Sequence, residues 1–378
     1  MKQLKTLSYF WHFGTLIVLM LMSSTLYAEE LSFQQMQKDV IPYYFYWKGK
    51  YLIPSTRFPG DWKVDFDGRG TTVSEAIGYG MLITVCMADA DPAARVCFDG
   101  LDRFRRHFPS SINPIFMCWK IPRNEKPTAD DCATDGELDM AYALLAAYQR
   151  WKEPSYLREA KELIGNISTS LVRSDYSLRM GDWNSEEGQT RPSDFMPAHF
   201  RAFRSATSDP IWSKVEDRCY ATLKGLQSAF APGTGLVPDF AIKKDGCWVP
   251  AKPGFLESRH DGDYYYNACR VPWRIGWAFE ATGDARARSI VEHFMRWMTT
   301  KVATPDRLAA GYRLNGTPLG NSGFDTACFI SPTGVAAMAC DNRLWESEAF
   351  QYALRSRESY YEDTLNLLCM IGMSGRQK

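Results

Sequence analysis

Apolar residues recur at helical spacing along most of the chain. In 136–151, Leu138, Ala141, Leu145 and Tyr148 fall at i, i+3, i+7 and i+10, and Leu144 and Trp151 widen that stripe into a face. In 285–300, Ile290, Phe294 and Trp297 repeat the pattern. The periodicity predicts helices over 32–47, 73–88, 92–107, 136–151, 155–172, 194–205, 209–229, 269–281, 285–300, 332–339, 343–355 and 359–373. Breakers such as Pro109-Ser110-Ser111, Lys152-Glu153-Pro154, Ala231-Pro232-Gly233 and Thr282-Gly283-Asp284 punctuate them. Only 115–121 and 236–240 read as extended. No Pro/Gly/Ser-rich linker or charge block divides the helices, so residues 29–378 are expected to form one all-α domain. A closed toroid of paired helices fits this count, and so does a helical solenoid.

The N-terminus breaks the pattern. Lys2 and Lys5 precede the apolar run 13–22, and small and polar residues lead to Ala28 before the acidic Glu29-Glu30. This is the layout of a secretory signal peptide over 1–28, cleaved after Ala28. The run is short for a bilayer span, and no later stretch is apolar enough for one. An exported protein, secreted or periplasmic, with no stable membrane association after cleavage is expected.

Composition and charge then remove whole classes of function. The 378 residues carry 44 Lys+Arg against 44 Asp+Glu. That balance argues against nucleic-acid binding, which needs a basic excess. Ten cysteines could pair in an exported chain, but no C-x-x-C occurs, and Cys86, Cys269 and Cys369 sit in apolar runs where buried free thiols are expected. The five histidines never fall at metal-ligand spacing. There is no G-x-S-x-G elbow, no P-loop and no G-x-G-x-x-G. No metal or cofactor is therefore expected, and the chemistry falls to carboxylates, arginines and aromatics in the long aperiodic stretches 49–70, 109–134, 174–193, 230–267 and 302–328.

Three acidic clusters stand out. Glu75 opens a helix, with Tyr79 one turn on. A carboxyl flanked by aromatics can keep its proton near neutrality and act as a general acid. The same letters, Thr72-x-x-Glu75, also spell a capping box. Asp135 and Asp139 share a face at i, i+4, a repulsive pair that calls for a function or a nearby arginine. Thr134-x-x-Glu137 is a second possible capping box. The third cluster, 255–274, packs Glu257, Asp261 and Asp263 among Tyr264-Tyr265-Tyr266 and Arg259, Arg270 and Arg274. Tyrosine and tryptophan, including Trp119, Trp183 and Trp248 in the loops, offer flat faces to sugar C–H bonds. Separated carboxyls beside aromatic loops suggest glycoside hydrolysis, one acid protonating the leaving oxygen and another carboxylate activating water or attacking carbon.

Several ordered motifs resemble glycoside hydrolase family 8, a family of bacterial endoglucanases, lichenases, chitosanases and xylanases. They are Ser74-Glu75-Ala76-Ile77-Gly78-Tyr79-Gly80-Met81, Ser110-Ser111-Ile112-Asn113-Pro114 with Trp119, the run from Ala133 to Trp151, Tyr266-Asn267-Ala268-Cys269-Arg270-Val271-Pro272-Trp273-Arg274, and Ala310-Gly311-Tyr312 to Leu319. The resemblance implies an (α/α)6 barrel and an inverting mechanism. It implies Glu75 as proton donor, Asp135 as the residue that binds and distorts the central sugar, and Tyr79, Trp119, Tyr266 and Arg270 along the subsites. Two departures accompany it. Glu137 stands where the family usually has Asp. Asn267 stands where one large subgroup carries its base Asp, and an amide cannot take a proton from water. The chain then resembles the subgroup whose base comes from a nearby loop; Glu257 is the first choice, with Asp263 and Asp261 behind it. Asn267 and Asp263 are expected to contact sugar.

The resulting expectation is a monomeric inverting endo-β-1,4-glycanase acting on cellulose or mixed-linkage glucan. A chitosanase or xylanase of the same family is the alternative. A non-catalytic polysaccharide-binding protein, suggested by Asn267, and a polysaccharide lyase on a similar toroid are the rivals from other classes.

Overall fold

A computed structural model describes residues 30–184, 187–321, 323 and 325–376; the leader read over 1–28 lies outside the described residues. Twelve α-helices appear among the described residues, each within one predicted segment or extending it: α1 (Phe33–Tyr51), α2 (Ser74–Cys86), α3 (Ala94–Arg106), α4 (Thr134–Trp151), α5 (Pro154–Ser170), α6 (Pro197–Thr207), α7 (Ile211–Phe230), α8 (Val271–Thr282), α9 (Ala285–Trp297), α10 (Ala327–Ala339), α11 (Arg343–Arg355) and α12 (Tyr360–Met373). The largest difference is at α10, which starts five residues before the expected 332. Pro332 reads as a helix start but lies inside the helix. The hydrogen bond it forfeits is tolerated because α8, α11 and α12 enclose the segment.

The even-numbered helices contact one another in sequence, α2 to α4, α6, α8, α10 and α12, and α12 returns to α2. Each odd helix packs outside an even one. This closed double ring is an (α/α)6 barrel, and the return contact excludes an open solenoid. Burial follows position. In α2 every residue from Ala76 to Val85 is buried, as is every residue of α10 from Ala327 to Ala337. The outer α3 is two-faced, with Cys97, Phe98, Leu101 and Phe104 inside and Val96 exposed.

Two close approaches set the site. A Cβ on Gly78 would lie 2.9 Å from Asp139 Cβ, and one on Gly136 would lie 2.7 Å from the Ser74 backbone carbon and hydroxyl. Without side chains there, α2 and α4 come near enough for Glu75 and Asp135 to share one space. The ring is closed by Asp363 on α12, which accepts hydrogen bonds from the hydroxyls of Tyr46 and Tyr51 at 2.7 Å and from Lys50 Nζ at 3.1 Å, all on α1.

Short antiparallel ladders trim the loops. β1 (Leu52–Pro54) pairs with β2 (Trp62–Val64), β3 (Thr72–Val73) with β4 (Lys120–Ile121), and β6 (Ala241–Lys244) with both β5 (Gln189–Thr190) and β7 (Cys247–Pro250). The extended reading of 115–121 narrows to β4 and one bridge from Met117 to Pro109. The reading of 236–240 is displaced: the strand begins at Ala241, because the ladder partner sits at 247–250. All ten cysteines carry free thiols; Cys269 and Cys369 are buried, Cys86 is partly buried and Cys247 is exposed.

Candidate active site

Neither capping box forms, and that frees both glutamates. The N-cap of α2 is Val73, with no side-chain cap. β3 runs straight into the helix, and Ser74 N–H donates to Trp119 O at 2.9 Å, which seats the Trp119 strip beside Glu75. At α4, Thr134 Oγ1 donates to Arg179 O, and Glu137 Oε1 accepts from Met117 N–H at 2.8 Å.

Arg270 is the hub. Its Nη1 lies 2.8 Å from both Glu75 Oε2 and Asp135 Oδ2, and 3.3 Å from the Tyr79 hydroxyl; its Nη2 donates to Ser193 Oγ at 2.9 Å and to Asn267 Oδ1 at 2.8 Å. Arg274, one turn on, grips Asp139 through both guanidinium arms at 2.8 and 2.5 Å. The i, i+4 acids of α4 thus meet i, i+4 arginines at the start of α8, which resolves the repulsion expected from the sequence. Arg191, at the end of β5, adds an ion pair of 2.9 Å to Asp135 Oδ1 and another of 2.8 Å to Asp194.

These neighbours drive two adjacent carboxyls apart. Burial pushes the Glu75 pKa up to about 7; Arg270 opposes this and Asp135 adds to it. Burial also acts on Asp135, but Arg191 and Arg270 outweigh it and hold that carboxyl well below the usual range. One acid retains a proton near neutrality while its neighbour is a fixed anion, the division of roles acid catalysis requires. Only 17% of the Glu75 side chain is exposed, and that part faces the cleft.

The cleft has a volume of about 420 Å³. Glu75, Asp135, Arg191, Glu257 and Asn267 line it together with the aromatic side chains of Phe66, Trp119, Tyr266 and Tyr361, and the near-complete burial of Asp135 puts it at the floor. Asn267 Nδ2 donates to Glu257 Oε2 at 2.8 Å. Glu75 and Glu257 are thus linked through Arg270 and Asn267, and both line the cleft.

Of the residues singled out in the sequence, Glu75, Asp135, Trp119, Glu257, Tyr266 and Asn267 meet at this cleft, and Tyr79 and Arg270 lie beneath its floor. Asp263 does not line it; its carboxylate pairs with His260 Nδ1 at 3.0 Å. Asp261 is fully buried and accepts the backbone N–H groups of Leu256, Glu257 and Ser258, so it holds the turn that carries Glu257 and cannot meet water. Trp183 and Trp248 also fall outside the lining. The sequence reading missed Arg191, Ser193, Asp194 and Asp239. Arg191, Ser193 and Asp194 cluster around one short turn and Asp239 sits alone in a loop, and none of them belongs to a recognisable motif. Asp239 is the most consequential: it accepts the N–H groups of Tyr265, Asn267 and Ala268 at 2.7–3.1 Å. Away from the floor, Asp325, Glu358 and Glu362 bring carboxylate oxygens within 4.8 Å of one another, and Glu362 lines the cleft.

A closed helical barrel with a proton-retaining carboxyl and a separate carboxylate lining one aromatic-walled cleft defines a carboxylate-dependent glycoside hydrolase. The family model described as glycosyl hydrolases family 8 matches residues 32–375, and the chain belongs to that family. It is 41% identical over 340 residues to a beta-glucanase of Niallia circulans, covering 87% of this chain and 82% of that protein. It is 36% identical over 370 residues to an endoglucanase of Bacillus sp. (strain KSM-330), covering 93% and 79%. Among solved structures, the apo beta-1,3-1,4-glucanase from Paenibacillus sp. X4 superposes with a TM-score of 0.89 at 39% identity, covering 92% of this chain and 94% of that one.

Proposed function

We propose that this enzyme is an endo-acting, inverting β-1,4-glucanase with Glu75 as general acid and Glu257 as general base. The observation that carries the reading is the Glu75 carboxyl, raised to about 7 beside an ionised Asp135 at the cleft floor. Glu75 donates its proton to the departing glycosidic oxygen as the C1–O bond breaks. Water attacks C1 from the opposite face and yields a proton to Glu257. Asp135 binds the sugar whose C1 reacts. Inversion needs acid and base roughly 6.5–9.5 Å apart, with room for water. The interposition of Arg270 and Asn267 between two carboxyls that line the same cleft supports such a separation. The names of the relatives favour β-glucan as substrate and endo-cleavage as the mode.

Residues 1–28 direct export and are removed, leaving residues 29–378 as a monomeric catalytic domain. Among the described residues no helix is long and apolar enough to cross a membrane.

One observation favours a second reading. The carboxylate of Glu362 lines the cleft, with those of Asp325 and Glu358 grouped behind it, an arrangement that suits a cationic sugar and hence chitosan. A reducing-sugar assay across soluble cellulose, mixed-linkage glucan, xylan and chitosan separates the two. Proton NMR of the first product tests inversion: the α-anomer is expected from a β-linked chain, and initial β-anomer contradicts it. Glu75→Gln is expected to cut turnover by about 10³-fold while substrate affinity persists; unchanged turnover rejects the assignment of the acid.

A further inference from the structure

Asn267 holds an unusual place for a cleft residue: both ends of its amide are committed to charged partners. Its orientation follows from chemistry. Arg270 can only donate, so the atom 2.8 Å from its Nη2 is Oδ1. The amide nitrogen then necessarily faces Glu257 Oε2, 2.8 Å away. The main chain beneath is equally fixed, because Asp239 accepts the backbone N–H groups of Tyr265, Asn267 and Ala268. Asp239 Oδ2 also lies 3.4 Å from Asn267 Nδ2. Glu257 is held at its own main chain by Asp261 Oδ2, 3.1 Å from its N–H.

We propose that Asn267 is a positioning residue, whose amide ties the Arg270 hub to Glu257 and aims that carboxylate at the attacking water. The proposal rests on the reading of Glu257 as base. It gives the amide at 267 a physical reason. A carboxylate there would satisfy Arg270 but would set an oxygen against Glu257 Oε2 at hydrogen-bond distance, with Asp239 behind it. An amide is the side chain of that shape that can accept from a guanidinium and donate to a carboxylate at once. Buried amides bonded at both ends fix one geometry, since any rotation strands a polar group. The bonds Glu75–Arg270–Asn267–Glu257 then form one continuous support across the cleft floor, so acid and base keep a constant separation.

The charged and titratable groups around the pair are Asp239 and Arg270 against Asn267, Arg191 and Asp239 in the field of Glu257, and Asp261 under its turn. The test compares kcat and KM across pH on a soluble β-glucan for the unaltered enzyme, N267A, N267D and E257A. N267A and N267D are expected to lower kcat about 10–100-fold, as loss of a supporting hydrogen bond does elsewhere. KM should move far less, because Asn267 acts on the base rather than on sugar affinity. In N267D the acidic limb of kcat should also move upward by about one pH unit, because a neighbouring anion makes Glu257 harder to ionise. A partly unfolded preparation scales the rate at every pH without moving the limb, so a folding defect cannot imitate that shift. If N267A and N267D keep both the rate and the limb while E257A is inactive, the positioning role is overturned and the base assignment stands. If E257A itself turns over normally, the base assignment falls and takes this inference with it.

Discussion

Arg191 Nη2 lies 2.9 Å from Asp135 Oδ1, while the other oxygen of that carboxylate belongs to Arg270. Asp135 is thus a buried anion clasped between two guanidiniums, next to a carboxyl that keeps its proton. The clasp is what allows two acids to occupy one pocket in different ionisation states.

Removing half of the clasp has a large cost. Arg191→Ala leaves Asp135 with one cation and deprives Asp194 of its ion-pair partner, so unfolding free energy should fall by about 3–5 kcal/mol, the penalty for breaking a buried pair. Urea denaturation measures it. Arg191→Lys should recover only a small part, since an ammonium cannot span the two carboxylates as the planar fork does.

The pH profile should report Glu75. As the proposed general acid it must be protonated to act, and its pKa is raised to about 7, so kcat/KM should fall about tenfold per pH unit above neutrality, while the acidic limb belongs to the base. Asp135→Asn removes the neighbouring negative charge that raises this value. Whatever it does to the rate, the alkaline limb should move to lower pH. Rate–pH curves for both proteins decide the point.

Glu137 governs stability instead. Burial pushes its pKa up to about 8 from an ordinary value of 4.5, against the hydrogen bond from Met117 N–H. The folded chain therefore keeps a proton that the unfolded chain has released. The associated stability is complete below about 4.5 and is lost as pH rises to about 8. In Glu137→Gln this dependence disappears. The drop in Tm between pH 5 and pH 8 should shrink by roughly 2–5 °C relative to the unaltered protein. An equal drop in both would show that Glu137 does not titrate in this range.

Two tryptophans make a controlled comparison. Trp119 and Trp183 are 39% and 38% exposed, but only Trp119 lines the cleft. Trp119→Ala should raise KM about fivefold to tenfold, the loss of one aromatic face worth ~1 kcal/mol or slightly more. Trp183→Ala should stay within about twofold. Equal effects would extend the binding surface to Trp183.

Much of this arrangement was legible before the structure, and the reason lies in range. All twelve helices follow from apolar spacing, which is a local property. The motifs around Glu75, Asp135 and Asn267 pointed to the right family and brought their residues to one cleft. What failed was also local. Thr72-x-x-Glu75 and Thr134-x-x-Glu137 have the letters of capping boxes, yet both glutamates are drawn to partners distant in sequence, Arg270 and Met117. Asp261 stood behind Glu257 as a candidate base from sequence, and nothing local in the sequence shows that its carboxylate is filled by three backbone N–H groups. Arg191 left no mark, because a single arginine in a loop acquires meaning only when the ring brings Asp135 to it.

The grip of Asp363 on Tyr46, Tyr51 and Lys50 has a consequence for biosynthesis. The acid and its anionic neighbour are made early, on the second and fourth helices, but the hoop that surrounds them shuts only when the twelfth helix arrives. A nascent chain stopped short of residue 363 carries the reactive groups in a ring that is still open, and it should behave as a client for chaperones rather than as an enzyme.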